Sequence, residues 1–167
     1  MAKMEVSKTS VPYTGKTQTP VVTVKDNNEN VVDADNYTVS YANNTNVGQA
    51  TVTVTGKGTY TGMLTATFDI VPKGTKISKL TGKKKSFAIK WKKQAKQTTG
   101  YEIQYSTHKK FKGAKTVTIK KNKTTSTNVK KLKTKKKYFV RVRTYKTVNG
   151  QKFYSEWTKA KSVKTKK

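Results

Sequence analysis

The stretch Lys130-Lys131-Leu132-Lys133-Thr134-Lys135-Lys136-Lys137-Tyr138-Phe139-Val140-Arg141-Val142-Arg143-Thr144-Tyr145 decides the reading of this chain. A lysine-crowded turn runs straight into a segment of strict alternation. Tyr138, Val140, Val142 and Thr144 fall on one face, and Phe139, Arg141, Arg143 and Tyr145 on the other. A two-residue period of this kind is that of a strand with one face buried.

The same period recurs on both sides. Phe87, Ile89 and Trp91 alternate with Ala88 and Lys90. Tyr101, Ile103 and Tyr105 alternate with Glu102 and Gln104. Val117 with Ile119, and Val129 leading to Leu132, mark two shorter strands. Asn149-Gly150 is a strong two-residue hairpin signal, and Phe153 to Thr165 reads as one last strand. Alternation places Trp91, Tyr101, Tyr105 and Tyr138 in the core. In the first half, Tyr37, Val39 and Tyr41, then Ala50, Val52 and Val54, then Leu64, Ala66, Phe68 and Ile70 follow the same rule. Turn clusters separate them at Asp26 to Asn30, Asp33 to Asp35 and Asn43 to Gly48. Nothing has helical period. The fold class is all-β, as two tandem β-sandwiches, with about seven strands expected in the first.

Charge divides the chain at the same place as the turn chemistry. Residues 1–72 carry five lysines against six acids, and residues 73–167 carry 32 Lys and Arg against Glu102 and Glu156 alone. Val71-Pro72-Lys73-Gly74-Thr75 lies at that change and reads as a linker. The expected domains are 5–72 and 76–165.

The residues of each half carry a resemblance. Tyr13-Thr14-Gly15-Lys16, Asp35-Asn36-Tyr37-Thr38-Val39-Ser40-Tyr41-Ala42-Asn43-Asn44, Val47-Gly48-Gln49-Ala50 and Gly58-Thr59-Tyr60-Thr61-Gly62 resemble the bacterial Ig-like modules of large cell-surface proteins from Gram-positive anaerobes. In that family the pattern marks a spacer more often than a binding site. From Lys76 to Thr165 the chain resembles a fibronectin type III domain. Trp91 stands where that family has its strand-B tryptophan, and Gly100 to Ser106 is similar to its strand C. Leu132, followed six residues later by Tyr138, is similar to its tyrosine corner, where the phenol bonds back to the E–F turn. Tyr154-Ser155-Glu156-Trp157-Thr158 resembles half of the Trp-Ser-x-Trp-Ser box of some members. The F–G hairpin lacks Arg-Gly-Asp, so integrin recognition is not implied.

In the topology that this resemblance implies, three turns meet at one end of the second sandwich. The A–B turn brings Lys83, Lys84 and Lys85. The C–C′ turn brings Lys109, Lys110, Lys112 and Lys115. The E–F turn brings Lys131, Lys133, Lys135, Lys136 and Lys137. Lysines at such density repel one another, and a polyanion lying across them relieves that repulsion and releases counterions. Solubility and protection of sheet edges are the plainer reasons for surface lysine. On the outward face of strand F, Arg141 and Arg143 lie beside Glu102, Gln104 and Trp157, an arrangement suited to cross-strand pairing and guanidinium stacking. Phe139, Tyr145, Tyr154 and Trp157 are the alternative use of that face, as an aromatic platform for sugars or bases.

Other chemistries find little footing. His108 is the one histidine, there is no cysteine, and no nucleophile–base or carboxylate pair stands out. Asp26, Glu29, Asp33 and Asp35 suit turn chemistry better than Ca²⁺ ligation. No enzyme activity, metal or cofactor is expected, and no apolar run approaches the length of a membrane span. The expectation is a monomeric, non-catalytic spacer and binding segment of a secreted bacterial cell-surface protein, touching anionic cell-wall polymer through its lysine pole. Nucleic acid is expected to bind only non-specifically in vitro. The alternatives are an adhesin segment for a host protein (immunoglobulin included) or glycan, and an accessory module of a larger extracellular enzyme.

Overall fold

The computed structural model describes residues 1–167, which divide into two compact units, Met1–Val71 and Pro72–Lys167. The first contains six strands. β1 (Lys3–Val6) and β3 (Val22–Lys25) form a two-stranded sheet, while β2 (Ser10–Pro12), β4 (Tyr37–Ala42), β5 (Gly48–Gly56) and β6 (Met63–Val71) form a four-stranded one. The inward residues of β5 and β6 follow the alternation: Ala50, Val52, Val54, Phe68 and Ile70 are all buried.

The expected count of about seven strands in this unit falls short by one for a local reason. Val31 makes only a single bridge to Lys25, because the Asp26 side chain closes the intervening turn on itself. Its Oδ1 accepts from the Asn28 and Asn30 N–H groups at 2.8 and 2.9 Å. Asp33 caps a short 3-10 turn, Ala34–Asn36, by accepting from the Asp35 N–H. Both acids are thus engaged as turn formers.

The second unit is a sandwich of a three-stranded and a five-stranded sheet. The first sheet holds β7 (Ile77–Lys83), β8 (Ser86–Trp91) and β11 (Ser126–Val129). The second holds β9 (Gly100–Ser106), β10 (Lys115–Ile119), β12 (Lys137–Val148), β13 (Gln151–Tyr154) and β14 (Lys161–Lys164). Between them lies one core, built on Phe87, Ile89, Trp91, Tyr101, Ile103, Val140 and Val142. The longest strand, β12, pairs with β9 on one edge and with both β13 and β14 on the other. Its inner residues Tyr138, Val140, Val142 and Thr144 are buried, as the alternation requires. Tyr105 packs against the core but stays half-exposed.

Tyrosine hydroxyls tie turns to the core at both ends of the sandwich. Tyr138 accepts from the Lys133 N–H at 3.2 Å, which is the tyrosine-corner bond. At the other end Tyr101 accepts from the Gln94 N–H at 2.8 Å and donates to the Asn122 carbonyl at 3.0 Å. Asn149 and Gly150 turn the β12–β13 hairpin with φ of +49° and +83°, the pair of left-handed conformations that Asn-Gly readily adopts.

The last strand departs from its expected form. It is two strands, because residues 155–160 stand opposite only residues 141–144 of β12. Two hydroxyls close the gap. Ser155 Oγ accepts from the Thr144 N–H at 3.0 Å, and Thr158 Oγ1 accepts from the Val142 N–H at 3.1 Å. These side chains stand in for ladder carbonyls, so the bulge leaves those two amides satisfied.

Both tryptophans lie in the second unit, so tryptophan fluorescence follows its unfolding alone. Tyr138→Phe removes the acceptor of the Lys133 N–H and is expected to cost about 1 kcal/mol in urea titration of that signal. A change under about 0.3 kcal/mol would show the corner bond to be incidental.

Candidate functional site

The pole of the second unit is assembled by backbone bonds among three turns and the C-terminal residues. Leu132 in the β11–β12 turn donates its N–H to the Lys85 carbonyl of the β7–β8 turn at 2.9 Å. Lys166 donates to the Lys83 carbonyl at 3.0 Å. Thr165 is the clamp: its hydroxyl donates to the Lys133 carbonyl at 2.6 Å and accepts from the Lys136 N–H at 3.0 Å. The close approach that this needs depends on Gly82, where a Cβ would sit 1.9 Å from the Lys164 carbonyl oxygen.

Opposite this wall stands the β9–β10 turn. Ser106 Oγ accepts from the His108 N–H at 3.0 Å and donates to the Lys112 carbonyl at 2.8 Å. Phe111 donates its N–H to the His108 carbonyl at 2.9 Å. Between the two turns lies a cleft of about 850 Å³. Tyr105 and Tyr138 line it together with Lys112, Lys115, Lys130, Lys131, Lys133 and Lys136. Neither acid of the unit does.

Five of the expected lysines therefore meet in one place: Lys112, Lys115, Lys131, Lys133 and Lys136. Lys109, Lys110 and Lys135 belong to the same two turns but do not line the cleft. Lys83, Lys84 and Lys85 are on the third turn, joined to the cleft wall through Leu132. Lys137 is drawn aside, its Nζ lying 5.4 Å from the centre of the Phe139 ring. Lys130, His108 and Thr165 escape a sequence reading as members of this site. The Thr165 bonds span about thirty residues, and no local pattern announces them.

Three of the pole's lysines carry backbone strain. Lys85, Lys131 and Lys135 have φ of +46°, +59° and +52°. Glycine or asparagine takes this left-handed conformation at less cost, and lysine gains nothing from it locally.

The outer face of the five-stranded sheet is filled by a cation–aromatic ladder. The Arg141 guanidinium lies 4.0 Å from the Phe111 ring and 4.7 Å from the Trp157 ring. Arg143 lies 4.3 Å from Trp157 and 3.7 Å from Tyr154. Cross-strand partners fix both arginines. Arg143 donates to Glu102 Oε2 at 2.7 and 3.0 Å, and Arg141 Nε donates to Gln104 Oε1 at 2.8 Å. Glu102 is only 7 % exposed, and Lys152 approaches it at 3.9 Å. Burial, then the neighbouring Arg143 charge, lowers the Arg141 pKa below its ordinary value, yet guanidinium stays charged at any physiological pH. Burial, then the Glu102 charge, raises the Tyr145 and Tyr154 phenols.

The ladder occupies two of the four rings of the expected ligand platform, Tyr154 and Trp157. Cations lie over Phe139, Tyr154 and Trp157. Tyr145 is 3 % exposed and has no open face to offer. It is buried because it lies over Gly100, where a Cβ would come within 2.9 Å of its hydroxyl.

A model of the fibronectin type III domain matches residues 71–161, more than half of the chain. The chain belongs to the fibronectin type III family. A fibronectin type III domain is in general a non-catalytic spacer or binding module and typically extracellular. Among solved structures the chain resembles the FN1–FN3 domains of chicken CNTN1, with 22% identity and a TM-score of 0.51 over 73% of this chain. It spans 44% of that chain. It also resembles a two-domain fibronectin type III segment of chicken tenascin, with 18% identity and a TM-score of 0.56 over 98% of both chains. These likenesses concern the fold. No curated protein matches the sequence. No helix is long and apolar enough to cross a membrane.

Within this fibronectin type III domain, Trp157 is the plate between two guanidiniums. Trp157→Ala leaves both of them without that ring and is expected to destabilise the second unit by about 1–2 kcal/mol. The fluorescence of the remaining Trp91 during urea unfolding reads this directly. An unchanged midpoint would mean that the stack contributes nothing.

Proposed function

We propose that this chain is a non-catalytic spacer and binding segment whose lysine pole holds anionic polymer. The observation that carries the reading is the convergence of six lysines on one cleft with no carboxylate among its lining residues. Lys131, one of them, occupies a backbone conformation that favours glycine. A side chain kept at such a position at a cost in stability supports a role for what it contacts. The two arginines are held in the ladder, so the available positive charge is ammonium.

The first unit serves as the spacer in this reading. Its resemblance to bacterial Ig-like modules, carried by residues 11–71, supports a position on the surface of a Gram-positive bacterium. There the anionic polymer is that of the cell wall. Contact with nucleic acid is then the same electrostatics with another polyanion.

The test is a salt titration. The full chain is expected to bind long-chain polyphosphate at about 50 mM salt, with log K falling against log salt at a slope of about −4 for six neutralised phosphates. No binding at low salt, or binding that ignores salt, would sink the reading. Binding to a host protein or glycan that survives roughly 0.5 M salt, where screening is strong, would favour the adhesin alternative.

The strained lysine gives a second test. Lys131→Gly is expected to raise the stability of the second unit by about 0.5–1 kcal/mol, relief of left-handed strain less the entropy of glycine in the unfolded chain. The same variant is expected to bind polyphosphate more weakly. A variant that is both more stable and equally tight would remove the functional reason for lysine there.

A further inference from the structure

We infer that the cleft is a discrete one-to-one site for a short run of phosphate groups, with Phe111 as the residue that positions its wall. This rests on the polyanion reading above and narrows it from a charged surface to a built pocket.

At about 850 Å³ the cleft is of the size that encloses small ligands. Its charge comes from the ammoniums of the six lysines named above, and its other polar lining residues are Tyr105, Ser106, Thr107, His108 and Tyr138. Ammonium is a compact point charge that serves phosphate without imposing the planar, two-pronged geometry of guanidinium. A run of phosphates can therefore lie between the walls in any of several registers. A carboxylate-bearing chain gains less, having lower charge density.

The walls are fixed before any ligand arrives. On one side the Thr165 hydroxyl and the Leu132–Lys85 bond set the β11–β12 turn. On the other, Phe111 sets the β9–β10 turn. Its ring lies 4.0 Å from the Arg141 guanidinium, and its backbone is held at φ +58°. An aromatic residue in the left-handed region is an outlier that the surroundings must enforce. The ladder enforces it here. Arg141 is held by Gln104 on one side and Trp157 on the other, so the sheet face fixes the turn that carries Lys112. A wall ordered in advance reduces the entropy lost on binding. Phe111 is uncharged, which separates its positioning role from the field of the lysines.

The experiment uses the full chain and sodium tripolyphosphate in calorimetry at about 50 mM salt. Binding is expected with a stoichiometry of one. Lys112→Gln/Lys133→Gln/Lys136→Gln is expected to weaken it about tenfold or more. Lys93→Gln/Lys96→Gln/Lys121→Gln, the same charge removed from turns that do not line the cleft, is expected to change it by less than about twofold. Phe111→Ala is expected to weaken it about fivefold, the ordering cost of one loop, without altering the salt slope. Phe111→Tyr is expected to restore it. Tryptophan fluorescence confirms that each variant is folded.

Equal losses in the two lysine triples would overturn the pocket and leave a diffuse field. Phe111→Ala binding as tightly as the unaltered chain would overturn the positioning role. A chain that binds long polyphosphate but not tripolyphosphate would sink this inference alone. A chain that binds neither would sink the polyanion reading with it.

Discussion

One strand constrains the second unit more than any other element. β12 is paired on both edges, and its inner face is closed by the opposite sheet. Its backbone amides and carbonyls are therefore committed along most of its length, and Tyr138, Val140, Val142 and Thr144 can only point inward. What remains free is the outer face. There Arg141 and Arg143 must find partners or leave charge beside a crowded sheet. They find them across the strands in Glu102 and Gln104, and above and below in aromatic rings. The bulge at residues 155–160 follows from the same demand. A regular last strand would alternate Trp157 without regard to the arginines. Two additional residues bring its indole between them, and Ser155 and Thr158 supply the acceptors that the broken ladder would otherwise lack.

Much of this was legible in the sequence, because a period of two is a direct consequence of pleated backbone. Strands β4, β5 and β6 of the first unit, most of those of the second and the Asn149-Gly150 turn follow from local pattern, and the Tyr138 corner from the family resemblance, whereas β1 (Lys3–Val6) carried no such signal. The rest was not legible because it depends on pairs distant in the chain. Thr165 looks like any polar residue near a chain end until β14 is set beside β12. Tyr145 reads as outward and available, and only the bare backbone of Gly100 on the neighbouring strand shows why it is buried. The residues that line the cleft were similarly mixed. Turn membership identified Lys112, Lys115, Lys131, Lys133 and Lys136. Whether a lysine points into the cleft or away depends on turn geometry that alternation does not describe, as Lys137 over Phe139 illustrates.

The density of lysine sets a physical problem that any reading must answer. With a Debye length of about 8 Å at physiological salt, charges around one cleft repel one another with little screening, while those on opposite ends of the sandwich do not. The second unit carries 32 basic residues and two acids in residues 73–167, so internal ion pairs cannot neutralise the pole. Glu102 is already held by Arg143 and Lys152. Relief has to come from outside the domain, as loosely held counterions or as a polyanion that displaces them. The second is favoured by the entropy of the ions released.

The ladder and the pole are therefore linked by allocation as well as by contact. Both arginines are committed to the sheet face, where planar guanidinium stacks and pairs at the same time. The pole is left with ammonium, which attracts anions strongly and distinguishes their shapes poorly. What shape selectivity the domain has must then come from how its turns are held apart, not from the cations themselves. Phe111 joins the two systems, since its ring caps the ladder and its backbone shapes the turn opposite the Thr165 clamp. A charged surface becomes a pocket only where the backbone beneath it is rigid, and at this pole the rigidity is supplied by side chains that carry none of the pole's charge.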